Sequence, residues 1–230
     1  MKKTFEELYV DLNEGVYDPN IFKAIFLAGG PGSGKSYVAG RTISGRGLKT
    51  VNSDNQFELM LKKASLSLKM PDREEWQRKP IRDRAKEITA KQKANYIEGR
   101  LGLIIDGTAR DYKALTKQAT ELQQLGYDTY MIFVNTSLDV ALERNSKRER
   151  SVPEYITRKS HDIVQSNIGK FQNTFGMGNM IIIDNSKDDK ELTTQIMGRC
   201  GKAVRRLLSN KIKSYTAKRW MATERRLRRR

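Results

Sequence analysis

A doubly wound α/β fold is the architecture this chain predicts, with five strands in a mostly parallel sheet and helices on both faces. Three observations carry it. Five short apolar runs alternate with helical patterns, and right-handed crossovers turn such an alternation into a parallel sheet. The 230 residues accommodate one sizeable core with a helical appendage. Finally, the run Gly29-Gly30-Pro31-Gly32-Ser33-Gly34-Lys35-Ser36 follows the apolar stretch Ala24 to Ala28 and precedes a helical pattern, so a strand feeds a glycine-rich turn that opens a helix.

In order along the chain, a short helix is expected over Thr4 to Leu12, ended by the breakers Gly15 and Asp18-Pro19. The first strand covers Phe22 to Leu27. A helix from Lys35 to about Ile43 stops at Ser44-Gly45-Arg46-Gly47, and the second strand, Leu48 to Asn52, is placed where it can lie beside the first. Helices over Asn55 to Leu68 and Asp72 to Glu98, the latter kinked at Pro80, form an insertion spanning 55–100. Leu101 to Asp106 is an apolar run ending in an acid, suited to a strand buried on both faces. A helix over Asp111 to Leu125 stops at Gly126. Thr129 to Val134 reads as a strand, Leu138 to about Glu149 as a helix, and Met180 to Asp184 as the final strand. The expected organisation is a domain over 1–198, with a lid and its following helix over about 140–178, and a basic helical extension over 199–230.

Composition removes several classes of function. One cysteine, Cys200, excludes an intrachain disulfide, and with a single histidine, His161, neither a zinc site nor a histidine-based triad is supported. No N-terminal apolar run and no 18-residue apolar stretch is present, so the chain reads as cytoplasmic. The formal charge is +17 and uneven: residues 199–230 hold thirteen Lys or Arg against one acid, Glu224, with Tyr215, Trp220 and Leu227 interleaved. Such a segment neutralises phosphates of a nucleic acid, docks an acidic protein, or remains a solvated tail.

The glycine-rich run is the signature of a P-loop nucleotide-binding site. Backbone N–H groups around Gly30, Gly32, Ser33 and Gly34 converge on phosphate oxygens, Lys35 neutralises the β and γ phosphates, and Ser36 is placed to hold Mg²⁺. Asp54, just past the second strand, is the candidate general base, with a helix N-cap as its competing role. Asp106, at the end of the third strand, is placed to ligate Mg²⁺ through water or to position an acceptor; a turn residue is its alternative. Arg144 and Arg148 stand four apart in Arg144-Asn145-Ser146-Lys147-Arg148-Glu149-Arg150, the spacing of a two-arginine phosphate clamp or of a solvated charged face. The acceptor pocket is expected along the 55–100 insertion, where Phe57, Trp76 and Arg82 read first as helix core and surface and alternatively as contacts to a base or ring.

On these residues the chain resembles P-loop kinases of the polynucleotide 5′-hydroxyl kinase and zeta-toxin group, over about Phe22 to Ile183. With the bacteriophage polynucleotide kinases it shares the loop at Gly29 to Ser36, Asn-x-Asp at Asn52 to Asp54, and Arg-Asn-Ser-Lys-Arg at Arg144 to Arg148 followed by Val152-Pro153. The resemblance implies that Asp54 is the general base and that Arg144 and Arg148 belong to a lid over the ATP phosphates. Ile105-Asp106-Gly107-Thr108-Ala109-Arg110 is similar to the zeta-toxin Ile-Glu-Gly-Thr-x-Arg, and His161-Asp162-Ile163-Val164 to a segment of their lid-following helix. Two departures blur the acceptor: Phe57 stands where the polynucleotide kinases carry an arginine, and Asp106 where zeta toxins carry a glutamate.

The expected activity is Mg²⁺-dependent transfer of the ATP γ-phosphate to a hydroxyl, first a polynucleotide 5′-hydroxyl and alternatively a nucleotide sugar or other small acceptor. A binding protein switched by nucleotide, without transfer, is the reading from a different class. The likeness to bacteriophage enzymes points to a phage origin and action in the host cytoplasm.

Overall fold

The computed structural model describes residues 15–187 and 190–228. The helix expected over Thr4 to Leu12 lies outside the described residues. Five strands, β1 (Lys23–Ala28), β2 (Lys49–Val51), β3 (Leu103–Asp106), β4 (Asp128–Asn135) and β5 (Met180–Asp184), form one sheet in the order β2-β3-β1-β4-β5, with every neighbouring pair parallel. All carboxyl ends therefore meet at one edge. The order corrects one expectation: β2 pairs with β3, and β3 rather than β2 lies beside β1. The physical reason is burial. Leu103-Ile104-Ile105 is apolar on both faces and takes a central position, while the three-residue β2, with Thr50 exposed, suits an edge.

Alternation along the strands sorts the core into two layers. Ala24, Phe26, Leu103, Ile105, Met131 and Phe133 face one side, where α4 (Tyr112–Gln124) and α6 (Glu154–Phe175) bring Ala119, Leu122, Val164, Phe171 and Phe175. Ile25, Leu27, Ile104, Ile132 and Val134 face the other, met by Val38 of α1 (Lys35–Thr42) and by Met197, Cys200, Val204 and Leu207 of α7 (Lys190–Ser209). Residues spaced three and four apart on a helix lie on one face, so each helix buries one stripe.

The insertion consists of α2 (Ser53–Lys63), a 3₁₀ turn at Asp72–Glu74 and α3 (Glu75–Glu98), joined through a small cluster of Phe57, Leu61 and Ala85. The helix α2 ends five residues earlier than expected, where Ala64 leaves the helix and Ser65 takes a left-handed φ of 55°. Helix α3 is assigned as one helix through Pro80. The helix α5 (Leu138–Ser146) is also shorter than expected, ending three residues before Glu149. Finally α8 (Tyr215–Leu227) is a folded helix: its Ala217 packs on Gly126, and Trp220 meets Phe22 edge-on at 5.5 Å between ring centroids. Phe22, Gly126 and Tyr127 precede β1 and β4, so α8 covers the amino end of the sheet.

Candidate active site

Two glycines of the loop are dictated by space as well as by backbone angle. At Gly32 (φ 76°) a Cβ would lie 2.1 Å from the Ala141 carbonyl oxygen, and at Gly34 (φ 87°) it would lie 2.3 Å from Asn185 Nδ2. Both φ values belong to the left-handed region that side chains disfavour. The loop is thus clamped between α5 and the segment after β5. Asn185 donates from Nδ2 to the Ser33 carbonyl at 2.9 Å, and its own carbonyl accepts from Arg144 Nη1 at 2.8 Å and from Thr136 Oγ1 at 3.2 Å. Ser33 Oγ is buried with no partner, a polar atom inside a loop whose N–H groups are suited to anions.

Lys35 folds back so that Nζ donates to the Gly29 carbonyl at 2.8 Å. Burial lowers its pKa, and the Asp106 and Asp54 carboxylates push the other way. Ser36, beside it at the start of α1, is exposed, and α1 has no side-chain cap. The predicted loop residues Gly30, Gly32, Ser33, Gly34, Lys35 and Ser36 therefore sit at the carboxyl edge of the sheet, together with the two predicted acids.

The N-cap of α2 is Asn52 rather than Asp54. The Asn52 side chain accepts from the Asp54 N–H at 2.7 Å, while its Nδ2 donates to Asp106 Oδ2 at 2.6 Å. Asp54 stands in the first turn with its carboxylate free for other contacts. It is gripped by two arginines: Arg82 Nη1 of α3 at 2.6 Å from Oδ1, and Arg150 Nη2 at 3.2 Å from Oδ2. Burial pushes Asp54 up, but Arg150 and the hydrogen-bonded Arg82 outweigh it and hold the carboxyl below its ordinary value. With 40% of the Asp54 side chain exposed, each pair contributes roughly 1 kcal/mol or less. A triphosphate can displace either.

Asp106 is shifted oppositely. Burial raises its pKa, Asp54 adds to the rise, and Lys35 and the Asn52 hydrogen bond oppose it. Its Oδ1 is buried without a partner. This spare oxygen and the Ser36 hydroxyl are hard oxygen donors, the set that suits Mg²⁺ held through waters and phosphates rather than in a protein cage. No cluster of three or more His, Cys, Asp or Glu that could hold a metal ion occurs among the described residues.

Arg144 and Arg148 are not brought together as one helical face. Arg144 stands in the last turn of α5 and is fixed to the Asn185 carbonyl, whereas α5 ends at Ser146 and Arg148 stands exposed in the turn beyond, its carbonyl accepting from Lys69 Nζ at 2.7 Å. Arg148 still lies within electrostatic reach of Lys35 and Asp106. The residue that reaches Asp54 is Arg150, 13% exposed, with Glu58 Oε2 a further 3.7 Å from its Nε. The turn is tied down by Asn145, which donates to the Val152 carbonyl at 2.6 Å and accepts from the Val152 N–H at 3.0 Å.

Two cavities flank this edge. One, of about 360 Å³, is lined by Ser53, Thr89, Asp106, Thr108, Arg110 and Gln118 among others. The other, of about 500 Å³, lies beside Gly34, Tyr37, Arg41, Arg144 and Asn185. A family model described as AAA domain matches residues 25–171. The chain belongs to this AAA-domain family. No curated protein matches it. Solved structures do: a protein proposed to be a kinase from Chloroflexus aurantiacus (19% identity, 80% of this chain and 98% of that one, TM-score 0.55), the PezAT chromosomal toxin–antitoxin system of Streptococcus pneumoniae (14%, 91% and 99%, 0.52), and a gluconokinase from Sinorhizobium meliloti (14%, 83% and 96%, 0.50). At these identities the likeness is one of fold: a kinase-type P-loop architecture.

Within this family fold, Arg150, Asn185 and Asn167 were not singled out from the sequence, and Arg82 was set aside as helix surface. Arg82 and Arg150 carry no signal beyond charge, since a guanidinium on a long charged helix or in an arginine-rich turn looks solvated until the tertiary fold brings Asp54 to it. Asn185, between Asp184 and Ser186, and Asn167, after Gln165 and Ser166, sit among polar neighbours in the sequence, so nothing local signals their burial. Asn167, buried on α6, donates to the Ala109 and Arg110 carbonyls at 3.2 and 3.1 Å, fixing a turn in which Ala109 holds a φ of 58°. Such strained backbone, costing about 1 kcal/mol or more, persists where the surroundings over-determine it.

Proposed function

We propose that the protein transfers the γ-phosphate of ATP to a hydroxyl group, with Asp54 orienting and deprotonating the acceptor. The observation that carries this reading is the Asp54 carboxylate at the same sheet edge as the phosphate loop, near enough to Lys35 to oppose the lowering of its pKa by burial. The loop N–H groups and Lys35 hold the triphosphate, and the cavity beside Gly34, Tyr37 and Arg41 receives the nucleoside. Arg144, Arg148 and Arg150 surround the transferring group; Arg150 exchanges Asp54 for phosphate oxygens when nucleotide enters. Ser36 and Asp106 would hold Mg²⁺, which when bound neutralises charge developing on the phosphates. The hydroxyl proton passes to Asp54 as the acceptor oxygen bonds to phosphorus and the bond to the ADP oxygen breaks.

The acceptor proposed first is a polynucleotide 5′-hydroxyl. Arg82 supports it: stacked over Phe57 at 4.7 Å and 2.6 Å from Asp54, it places a fork for phosphate oxygens beside the reacting hydroxyl. A nucleotide sugar is the second reading, favoured by the compact 360 Å³ cavity formed around Asp106, Thr108 and Arg110. Incubation with γ-labelled ATP and each acceptor separates them. Label on a 5′-hydroxyl oligonucleotide supports the first, label on UDP-N-acetylglucosamine the second. Label on neither, with ATP bound, removes both of these acceptors.

A further inference from the structure

The basic C-terminal segment stands apart from the site, and its geometry is that of a built surface. On α7, Met197, Cys200, Val204 and Leu207 are buried against the sheet, while Arg199, Lys202, Arg205 and Arg206 are exposed. At about 100° per residue these cations share one outward stripe. The same division holds on α8: Ala217, Trp220 and Met221 pack inward against the amino end of the sheet, and Lys218, Arg219, Arg225 and Arg226 point out. Lys211 and Lys213, both exposed, join the two stripes. Among the described residues of this segment, only Arg228 has an ion-pair partner, Glu224 at 3.9 Å. The apparent tail is a rigid cationic track.

We infer that this α7–α8 track binds the phosphodiester backbone of single-stranded nucleic acid, at a surface separate from the catalytic edge. Charge complementarity requires a polyanion. A lipid bilayer fits poorly, because the apolar faces of both helices are already consumed by packing on the sheet, leaving none to enter the acyl layer. The side chain that favours a nucleic acid over an acidic protein is Tyr215, which is 78% exposed and lies on the cationic stripe of α8 between the directions of Lys218 and Arg219. An exposed ring among arginines is a platform for a base, and bases in a duplex are not available for it. Within the track α8 covers the pole of the sheet remote from Asp54 and the cations of α7 face outward from one side of the sheet, so a strand is gripped away from the catalytic edge and binding requires no catalysis.

The test uses the full chain and a 3′-fluorescein-labelled oligodeoxythymidylate, read by anisotropy across a salt series. Lys218→Glu, Arg219→Glu and Arg226→Glu together should weaken binding at least about ten-fold at low salt. Each lost contact removes about 0.7 from the log–log salt slope, so the slope should fall by about 2. Tyr215→Ala should weaken binding about five-fold while leaving the slope alone. The substituted side chains are exposed, so melting temperature and ATP turnover should match wild type and report an intact fold. Unchanged affinity in the charge-swapped protein overturns the proposal, as does tighter retention on phosphatidylserine vesicles or polyglutamate than on the oligonucleotide. Equal affinity of Tyr215→Ala overturns the choice of a single strand. Binding is read without turnover, so a protein that phosphorylates no acceptor leaves this result standing.

Discussion

The two poles of the sheet are built on opposite terms. At the carboxyl edge, opposing charges crowd together, Ser33 Oγ, Asp106 Oδ1 and Arg150 Nε are buried without hydrogen-bond partners, and two loop glycines hold φ values of 76° and 87°. At the amino end, Phe22 meets Tyr127 and Trp220 edge-on at 5.4 and 5.5 Å, and buried Lys23 is satisfied by Asp128 at 2.5 Å and the Asn210 carbonyl at 2.7 Å. Even Arg100, whose Nε lacks a partner, lies over Trp220 and donates from Nη1 to the Ile97 carbonyl. Unfinished polar groups cost stability, and three of the five found among the described residues lie at this edge, Arg100 Nε and Thr116 Oγ1 lying elsewhere, so the edge is where a ligand would complete the structure. The finished pole holds the fold together and carries its charge outside.

The contrast is broken most sharply at Lys35. Lys35→Ala should lower phosphotransfer by a factor on the order of 10³, while the melting temperature stays within a few degrees, because a desolvated ammonium contributes little to the fold. Steady-state turnover and thermal melting read the two quantities. A comparable loss of stability would show that this edge is structural too. Asp54→Asn should cost about 10² in kcat with nucleotide affinity, measured by calorimetry, largely retained; unimpaired kcat removes Asp54 as the base.

At the other pole the signs reverse. Trp220→Ala removes an aromatic contact with Phe22 and the face that carries Arg100, and should cost about 2 kcal/mol of stability, less than a fully buried tryptophan because Trp220 is only partly buried. Below the melting transition its kcat should equal that of wild type. A kinetic defect without destabilisation would mean that α8 communicates with the site.

How much of this was legible in the sequence differs between the poles in the same way. Strand–loop–helix periodicity placed Gly29 to Ser36, Asp54 and Asp106 at strand ends, and parallel pairing gathered all of them at one edge. Those signals are local. The partners of Asp54 were not legible, since Arg82 and Arg150 are 28 and 96 positions away and only tertiary packing selects them from many arginines. Arg144 and Arg148 were paired by a helical spacing that ends at Ser146. The buried face of α8 is masked in the sequence by the charge of residues 199–230, although Ala217, Trp220 and Met221, spaced three and four apart, form an ordinary helical stripe.

The smallest expected effect concerns Asp106, where function and stability oppose each other. Burial raises its pKa above the ordinary carboxylate value, so the folded protein favours the protonated group more than the unfolded chain does. The unfolded chain releases that proton more easily, and wild-type stability contributed by this residue therefore improves as pH falls through the folded value. Asp106→Asn removes the charge and keeps an oxygen to accept from Asn52 Nδ2. It also deprives Lys35 of its leading opposing charge, which limits the gain to about 1 kcal/mol or less. The variant should thus melt slightly above wild type at neutral pH, and the two curves should converge on acidification toward the carboxylate range. Its Mg²⁺ requirement for turnover should rise if Asp106 helps hold the ion. A melting difference that widens as pH falls would mean that Asp106 is stabilised as its anion, and that the carboxyl edge is less strained than its unpartnered oxygen indicates.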